Sequence, residues 1–177
     1  VAFGGGAAQG NTGALDAVRV GTTCLVDHHA SPGAIAGSLG AVGRAIAEVG
    51  LRGVLCYEIT DRGGQAEREA GLAESEAFLS EPPDPLLRGM VGAHASFTLG
   101  ADVLLAVGEL ARRHGVGVHI HAAEDHADVE DARRRHGRGV IERLAEANCL
   151  GPGTILAHAT QLSESEIAVA RVLAALP

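Results

Sequence analysis

The sequence contains no lysine and no tryptophan, and it has only three phenylalanines and one tyrosine. All 14 basic residues are arginine, set against 22 acidic ones, for a formal net charge of −8. Nucleic-acid binding needs a surplus of cations to displace phosphate counterions, and here the balance runs the other way. Aromatic residues, at 2%, are too few to build base-stacking platforms. The missing lysine, beside abundant alanine and glycine, reflects a GC-rich coding bias and says nothing about function. Cysteine is scarce and odd in number, and Cys24, Cys56 and Cys149 lie far apart. That argues against a disulfide framework or a zinc ribbon and for a reduced, cytoplasmic setting. Lying in or near apolar segments without an evident base, the three read as core residues. No charge-free apolar run of about 18 residues occurs, so no membrane span is expected. Val1 to Gly13 lacks a basic region followed by an apolar run. It does not read as a secretory signal, and it is expected to be disordered.

Apolar residues make up 46% of the 177, enough for one globular domain over residues 1–177 with a substantial core. Short apolar runs alternate with longer segments of helical period. The runs are Thr22 to Asp27, Gly53 to Tyr57, Gly89 to His94, Val116 to His121 and Thr154 to His158. They are continuously apolar rather than alternating, as strands of a parallel sheet buried on both faces are. Ala101 to His114 carries a helical stripe of Val103, Leu104, Val107, Leu110 and Ala111. Val140, Ile141 and Leu144 repeat the pattern, and Ser163 with Glu166 forms a capping box for a last helix. About five consecutive βα units result, an α/β fold with right-handed crossovers. A doubly wound open sheet and part of a closed barrel both fit. Length alone favours the open sheet, because a complete (β/α)8 barrel needs about 200 residues or more.

The strand ends carry the chemistry. The runs end in Asp27-His28-His29, Tyr57-Glu58, His94, His119-x-His121 with Glu124 beyond, and His158. Ionisable groups at the carboxyl ends of successive parallel strands are what an α/β active site requires. Imidazole at a strand end suits a metal such as zinc. Glu124, three residues after His121, can face the same pocket and carry protons between a metal-bound water and a leaving group. The plainer alternative makes His119 and His121 hydrogen-bonded core histidines and Glu124 a helix cap. His94 and His158, as lone strand-end histidines, carry the same two readings. His28 and His29 are neighbours in a strand, so at most one faces the pocket. His114, His126 and His136 fall in helical segments and read as solvated. Gly5-x4-Gly10-Asn11-Thr12 has phosphate-loop spacing but lacks the lysine and a preceding strand. Gly37, Gly40 and Gly43 do not match the dinucleotide fingerprint. Arg133 to Arg135, after Asp128, Glu130 and Asp131, read as a helix end complementing its dipole.

Taken in order, several segments carry a resemblance: Gly21-Thr22-Thr23 through Asp27-His28-His29-Ala30-Ser31-Pro32, Cys56-Tyr57-Glu58, Gly92-Ala93-His94-Ala95-Ser96-Phe97, His119-Ile120-His121-Ala122-Ala123-Glu124 and Ala157-His158. The set resembles the aminohydrolases of the chlorohydrolase and cytosine-deaminase-like branch of the amidohydrolase superfamily, over roughly residues 14 to 173. The resemblance implies a partial (β/α)8 TIM-type barrel, about strands 2 to 6 of eight. It also implies one divalent metal ion, zinc or else iron, and a small-molecule substrate. It makes His121 the metal ligand of the fifth barrel strand and Glu124 the proton shuttle. His158, on the sixth strand, would hold the attacking water or substrate, or serve as a further ligand. His94, on the fourth, would touch the substrate. The branch's first-strand His-x-His and eighth-strand Asp have no counterpart here. The expected activity of the intact protein is hydrolysis of a carbon–nitrogen bond, as in deamination of a nitrogen heterocycle, with little activity from this chain alone. Unpaired strand edges favour homo-oligomers. Two other readings stand beside it: a non-catalytic truncated relative with a binding or structural role, and an unrelated open-sheet enzyme using His94 and Glu124 without metal.

Overall fold

Apolar strands must be covered, and helices between most successive strands cover one face of the sheet, whereas the burial on both faces that the apolar runs suggested does not extend to β1 and β6. The computed structural model describes residues 13–175. The phosphate-loop spacing and nearly all of the segment expected to be disordered lie outside these residues. Gly13 already opens a helical stretch over 13–19. The strands are β1 (Cys24–His29), β2 (Arg52–Tyr57), β3 (Leu87–Gly89), β4 (Val91–Ala95), β5 (Val118–Ala122) and β6 (Ile155–His158). The helices are α1 (Ser38–Glu48), α2 (Gln65–Leu79), α3 (Ala101–His114), α4 (His126–His136), α5 (Val140–Glu146) and α6 (Glu164–Ala174).

Every pairing is parallel: β1 with β2, β2 with β3, β4 with β5, and β5 with β6. The third apolar run is therefore two short strands, not one. At Met90 the chain stops pairing as β3, its N–H donating to the Leu55 carbonyl, and Val91 then donates to Gly117. A bridge between Ile59 and Ala93 carries β2 across to β4. The strands thus follow one another in chain order without the reversal that marks a doubly wound sheet. Sequential parallel strands with intervening helices form a section of a TIM-type barrel. Strand bounds differ from the sequence reading by about two residues. β1 in particular runs on to His29.

Side chains alternate across the sheet. Leu55, Ile59, Val91, Ala93, Val118 and Ile120 face the helices and pack with Leu39, Val42, Leu104 and Val107, all within 4% of full burial. Each large aliphatic so buried contributes about 1.5–3 kcal/mol. Helix α3 matches its sequence stripe and ends at Gly115, whose φ of 63° closes the last turn in the left-handed conformation that glycine adopts freely. Helix α1 has no side-chain cap of its own. The buried Glu74 of α2 accepts instead from the N–H groups of Gly37 (2.6 Å) and Leu39 (2.9 Å), satisfying donors that a helix start leaves orphaned. The Ser163–Glu166 capping box is formed. Cys56 and Cys149 are buried and reduced, whereas Cys24, read as a core residue, is exposed. It stands at the start of β1, which pairs on one side only among the described residues. His114 is not simply solvated: its Nε2 lies 2.9 Å from Glu76 of α2. No helix among the described residues is long and apolar enough to cross a membrane.

Candidate functional site

The face of the sheet opposite the helices carries the histidines. In β5, His119 and His121 are two residues apart and share that face, while Ile120 between them points into the helix layer. The register sets His28 of β1 beside Cys56 of β2, and the His28 ring stacks on His119 (centroids 4.4 Å, 29°) and on His121 (5.0 Å, 16°). Of the adjacent pair it is His28 that faces the site. His29 turns the other way, bonds Ser31 Oγ at 3.0 Å and meets Tyr57 edge-on. Both ring nitrogens of His28 are buried without a hydrogen-bond partner. Burial, then the neighbouring His119, His121 and His94, pushes its pKa down to about 3. Burial lowers His119 as well. Histidines kept neutral in this way present lone pairs rather than charge.

His158 reaches the same place by an unusual backbone. The register alone pairs it with Ala122, whose side chain lies on the helix side. Residues 158 and 159, however, have φ of 65° and 54°, a left-handed conformation that non-glycine residues rarely adopt. This turn swings the imidazole back, so that His158 Nε2 lies 2.9 Å from His121 Nδ1 and 3.7 Å from Glu124 Oε1. Ala123, just before Glu124, also has a positive φ of 48°. Its N–H donates to Asp128 Oδ2 at 2.6 Å, and Thr160 Oγ1 donates to the Glu124 carbonyl at 2.7 Å. Asp128, which in the sequence is one of three acidic residues ahead of Arg133 to Arg135, is a buried clamp on this turn. Burial raises its pKa, against the pull of the N–H donors of Ala123 and Glu124. Three of the four positive-φ non-glycine residues described lie at these two strand ends, where strain is characteristically held at functional sites.

His94 owes its position to a β-bulge. Ala93 pairs with Ile120 and Ala95 with His121, so His94 is the extra residue, and a bulge re-aims the side chain it inserts. Its ring centroid lies 5.7 Å from that of His121, and its Nδ1 is 2.8 Å from Thr98 Oγ1. Buried Arg143 of α5 fixes the turn that carries Thr98. It donates to Ser96 Oγ at 2.9 Å and to the carbonyls of Ser96 and Leu99. Burial lowers the pKa of His94, with the Glu58 carboxylate opposing. Glu58 follows β2, and its Oε1 accepts from Arg62 Nη2 at 2.7 Å while Arg62 Nε donates to Thr60 at 3.2 Å. The sequence marked Glu58 as a strand end without giving it a role. Nothing in the sequence singles out Arg62 except its spacing of four from Glu58.

Two groups of three potential donors result: His121 with Glu124 and His158, and His121 with His28 and Glu58. Within each, the donor atoms lie within 4.8 Å of one another. A tetrahedral ion with bonds near 2.0–2.1 Å needs them about 3.3 Å apart, so modest side-chain movement would close either group. Imidazole and carboxylate are the donors that divalent zinc accepts. The orphaned nitrogens of His28 fit the same chemistry.

The chain is similar to known proteins in sequence and in fold. A 5'-deoxyadenosine deaminase of Methanopyrus kandleri is 34% identical over 158 residues, 88% of this chain and 35% of that protein. A 5-methylthioadenosine/S-adenosylhomocysteine deaminase of Symbiobacterium thermophilum is 34% identical over 161 residues, 89% of this chain and 35% of that protein. The chain thus spans about a third of the length of these curated relatives. Among solved structures, a zinc-bound adenosine deaminase from Xanthomonas campestris superposes with a TM-score of 0.78 at 24% identity, over 94% of this chain and 37% of its own. A zinc complex of atrazine chlorohydrolase from Arthrobacter aurescens gives 0.80 at 16% identity, over 93% and 40%. At such identities the structural likeness is one of fold, that of a partial barrel. The sequence profile of the Amidohydrolase family matches residues 6–175, nearly the whole chain, and the chain belongs to that family.

Proposed function

We propose that the intact protein is a metal-dependent aminohydrolase. It replaces an amino group on a nitrogen heterocycle with oxygen, consuming water and releasing ammonia. The observation that carries this reading is the convergence of His121, Glu124, His158 and His94 at the carboxyl ends of β4, β5 and β6, brought about by a bulge and by left-handed turns. The deaminase names of its relatives support adenosine-type nucleosides as the substrate class.

A divalent cation bound at His121 would lower the pKa of water to about 7 and so provide hydroxide at neutral pH. Zinc in the solved relatives supports that ion, with iron as the alternative. The protein's own groups do the rest. Glu124, exposed at the mouth of the site, takes the proton from the attacking water and delivers it to the departing nitrogen. His158, within hydrogen-bond range of His121, orients the water or joins the ligand set. His94, aimed by its bulge and held by Thr98, contacts the heterocycle beside the bond that breaks.

The test is ammonia release by the full-length protein, loaded with zinc or iron, from adenosine, 5'-deoxyadenosine and methylthioadenosine. Turnover of at least one supports the reading. Absence of ammonia release from these and from a wider panel of amino-substituted heterocycles would overturn it.

A further inference from the structure

We propose that Asp128 and Thr160 are positioning residues for Glu124. Acting from opposite sides on the turn after β5, they fix where its carboxylate stands beside His158. The proposal rests on the reading in which Glu124 moves the proton, and it adds two residues that touch neither ion nor substrate.

The Glu124 side chain is 52% exposed, and its carboxylate comes no nearer to a charged partner than 3.7 Å from His158 Nε2 among the described residues. Its own contacts therefore do not hold it, and its place is set by the backbone beneath. That backbone is constrained from both sides. Ala123 is held at a φ of 48°, a conformation unfavourable for any residue with a Cβ. Asp128, 3% exposed, accepts the Ala123 N–H at 2.6 Å through Oδ2, and the Glu124 N–H is directed at the same carboxylate. Helix α4 does not need Asp128 for its own start, because Asp125 caps it by accepting from the Ala127 N–H at 2.9 Å. The Asp128 carboxylate points back to the turn instead and leaves Oδ1 buried without a partner. A half-satisfied buried carboxylate is unfavourable, as is a left-handed alanine. Both costs fall on the one turn that carries Glu124, and departures of this kind gather where function requires them. From the other side, Thr160 Oγ1 donates to the Glu124 carbonyl at 2.7 Å, and the Gln161 N–H donates to the Ala123 carbonyl at 3.0 Å. Thr160 and Gln161 follow His158 closely, so the turn carrying Glu124 and the turn carrying His158 form one unit. A proton moves between groups about 2.6–3.2 Å apart, so a slip of either turn would change how far Glu124 must travel to act.

The test follows ammonia release by the full-length, zinc-loaded protein. Asp128→Ala should lower kcat by at least about tenfold, the effect of losing a hydrogen bond to a charged group, with KM within about twofold and zinc content unchanged. Asp128→Asn, whose remaining oxygen can still accept from Ala123, should lose less. Thr160→Val should lower kcat by about fivefold, and Thr160→Ser, which keeps the hydroxyl, should restore it. In the Glu124→Gln background neither Asp128→Ala nor Thr160→Val should lower kcat further, because both act through that carboxylate. Equal losses in both backgrounds, or an unchanged kcat in both single variants, would overturn the proposal. Thr160 is exposed, so Thr160→Val carries the test if Asp128→Ala does not fold. Hydrogen exchange at the amides of Ala123 and Glu124, read by mass spectrometry, needs no activity, and it should quicken by at least about tenfold in Asp128→Ala. Unchanged exchange would overturn the clamp whatever the kinetics. An unaltered protein that releases no ammonia would sink the functional reading, while faster exchange in Asp128→Ala would leave the clamp standing as the holder of the Glu124 turn.

Discussion

His158 Nε2 sits 2.9 Å from His121 Nδ1 because the backbone at 158 and 159 runs left-handed. Without that turn the strand register would leave His158 beside Ala122, on the helix side of the sheet. Two imidazoles from adjacent strands are thus brought into direct contact at the expense of local conformational strain, about 1–2 kcal/mol per residue.

The strain has a measurable consequence. Ala159→Gly should raise folding stability, by up to about 1 kcal/mol, because glycine adopts positive φ without a Cβ clash. Urea denaturation of the chain checks this. A loss of stability would mean that Ala159 packing outweighs its backbone cost.

The buried histidines make stability depend on pH in a defined direction. The pKa of His28 is depressed from 6.5 to about 3 in the folded chain. Between those values the unfolded chain takes up a proton that the folded chain refuses. The stability it permits is fully present above pH 6.5 and lost as pH falls toward 3. The slope is at most about 1.4 kcal/mol per pH unit from this residue, with His94 and His119 adding in the same sense. Thermal melts of the metal-free chain from pH 7 to pH 4 should show falling Tm, and His28→Asn should flatten the fall.

Gly108 offers a test of packing. It lies inside α3, where alanine ordinarily stabilises. A Cβ there would collide with the carbonyl oxygen of Ala147 and the backbone of Asn148. Gly108→Ala should therefore destabilise, by about 1–3 kcal/mol. A gain in stability would show that α3 and the segment after α5 lie further apart than described.

Thr98 holds His94 through its Nδ1. In the full-length protein Thr98→Val should keep the fold and the metal content but weaken substrate handling several-fold, the effect of about 1 kcal/mol for one hydrogen bond. Steady-state kinetics on the best substrate reads it. Unchanged kcat/KM would remove Thr98 from the account.

Much of the fold was legible because its signals are local. The stripe Val103, Leu104, Val107, Leu110, Ala111 matched α3 residue for residue, and Ser163 with Glu166 marked the start of α6. The break at Met90 was not legible, since it arises only when one apolar run changes partners from Leu55 to Gly117. The site was half legible. His94, His121, Glu124 and His158 stood out as strand ends, and the structure brings all four together. The approach of His28 and Glu58 to His121 depends on the register between distant strands. The swing of His158 depends on two φ angles that neither a histidine nor an alanine advertises. Asp128 looked like one of several acidic residues at a helix start because its bond to Ala123 is made through a turn that the sequence does not mark.

The central claim, metal-dependent hydrolysis with Glu124 moving the proton, is tested most directly by ammonia release from the full-length protein before chelation, after chelation, after zinc is restored, and in Glu124→Gln. Chelation should abolish release, zinc should restore it, and Glu124→Gln should lower it by about 10²–10⁴-fold at unchanged metal content. Turnover that survives chelation, or a Glu124→Gln variant as fast as the unaltered protein, would contradict it.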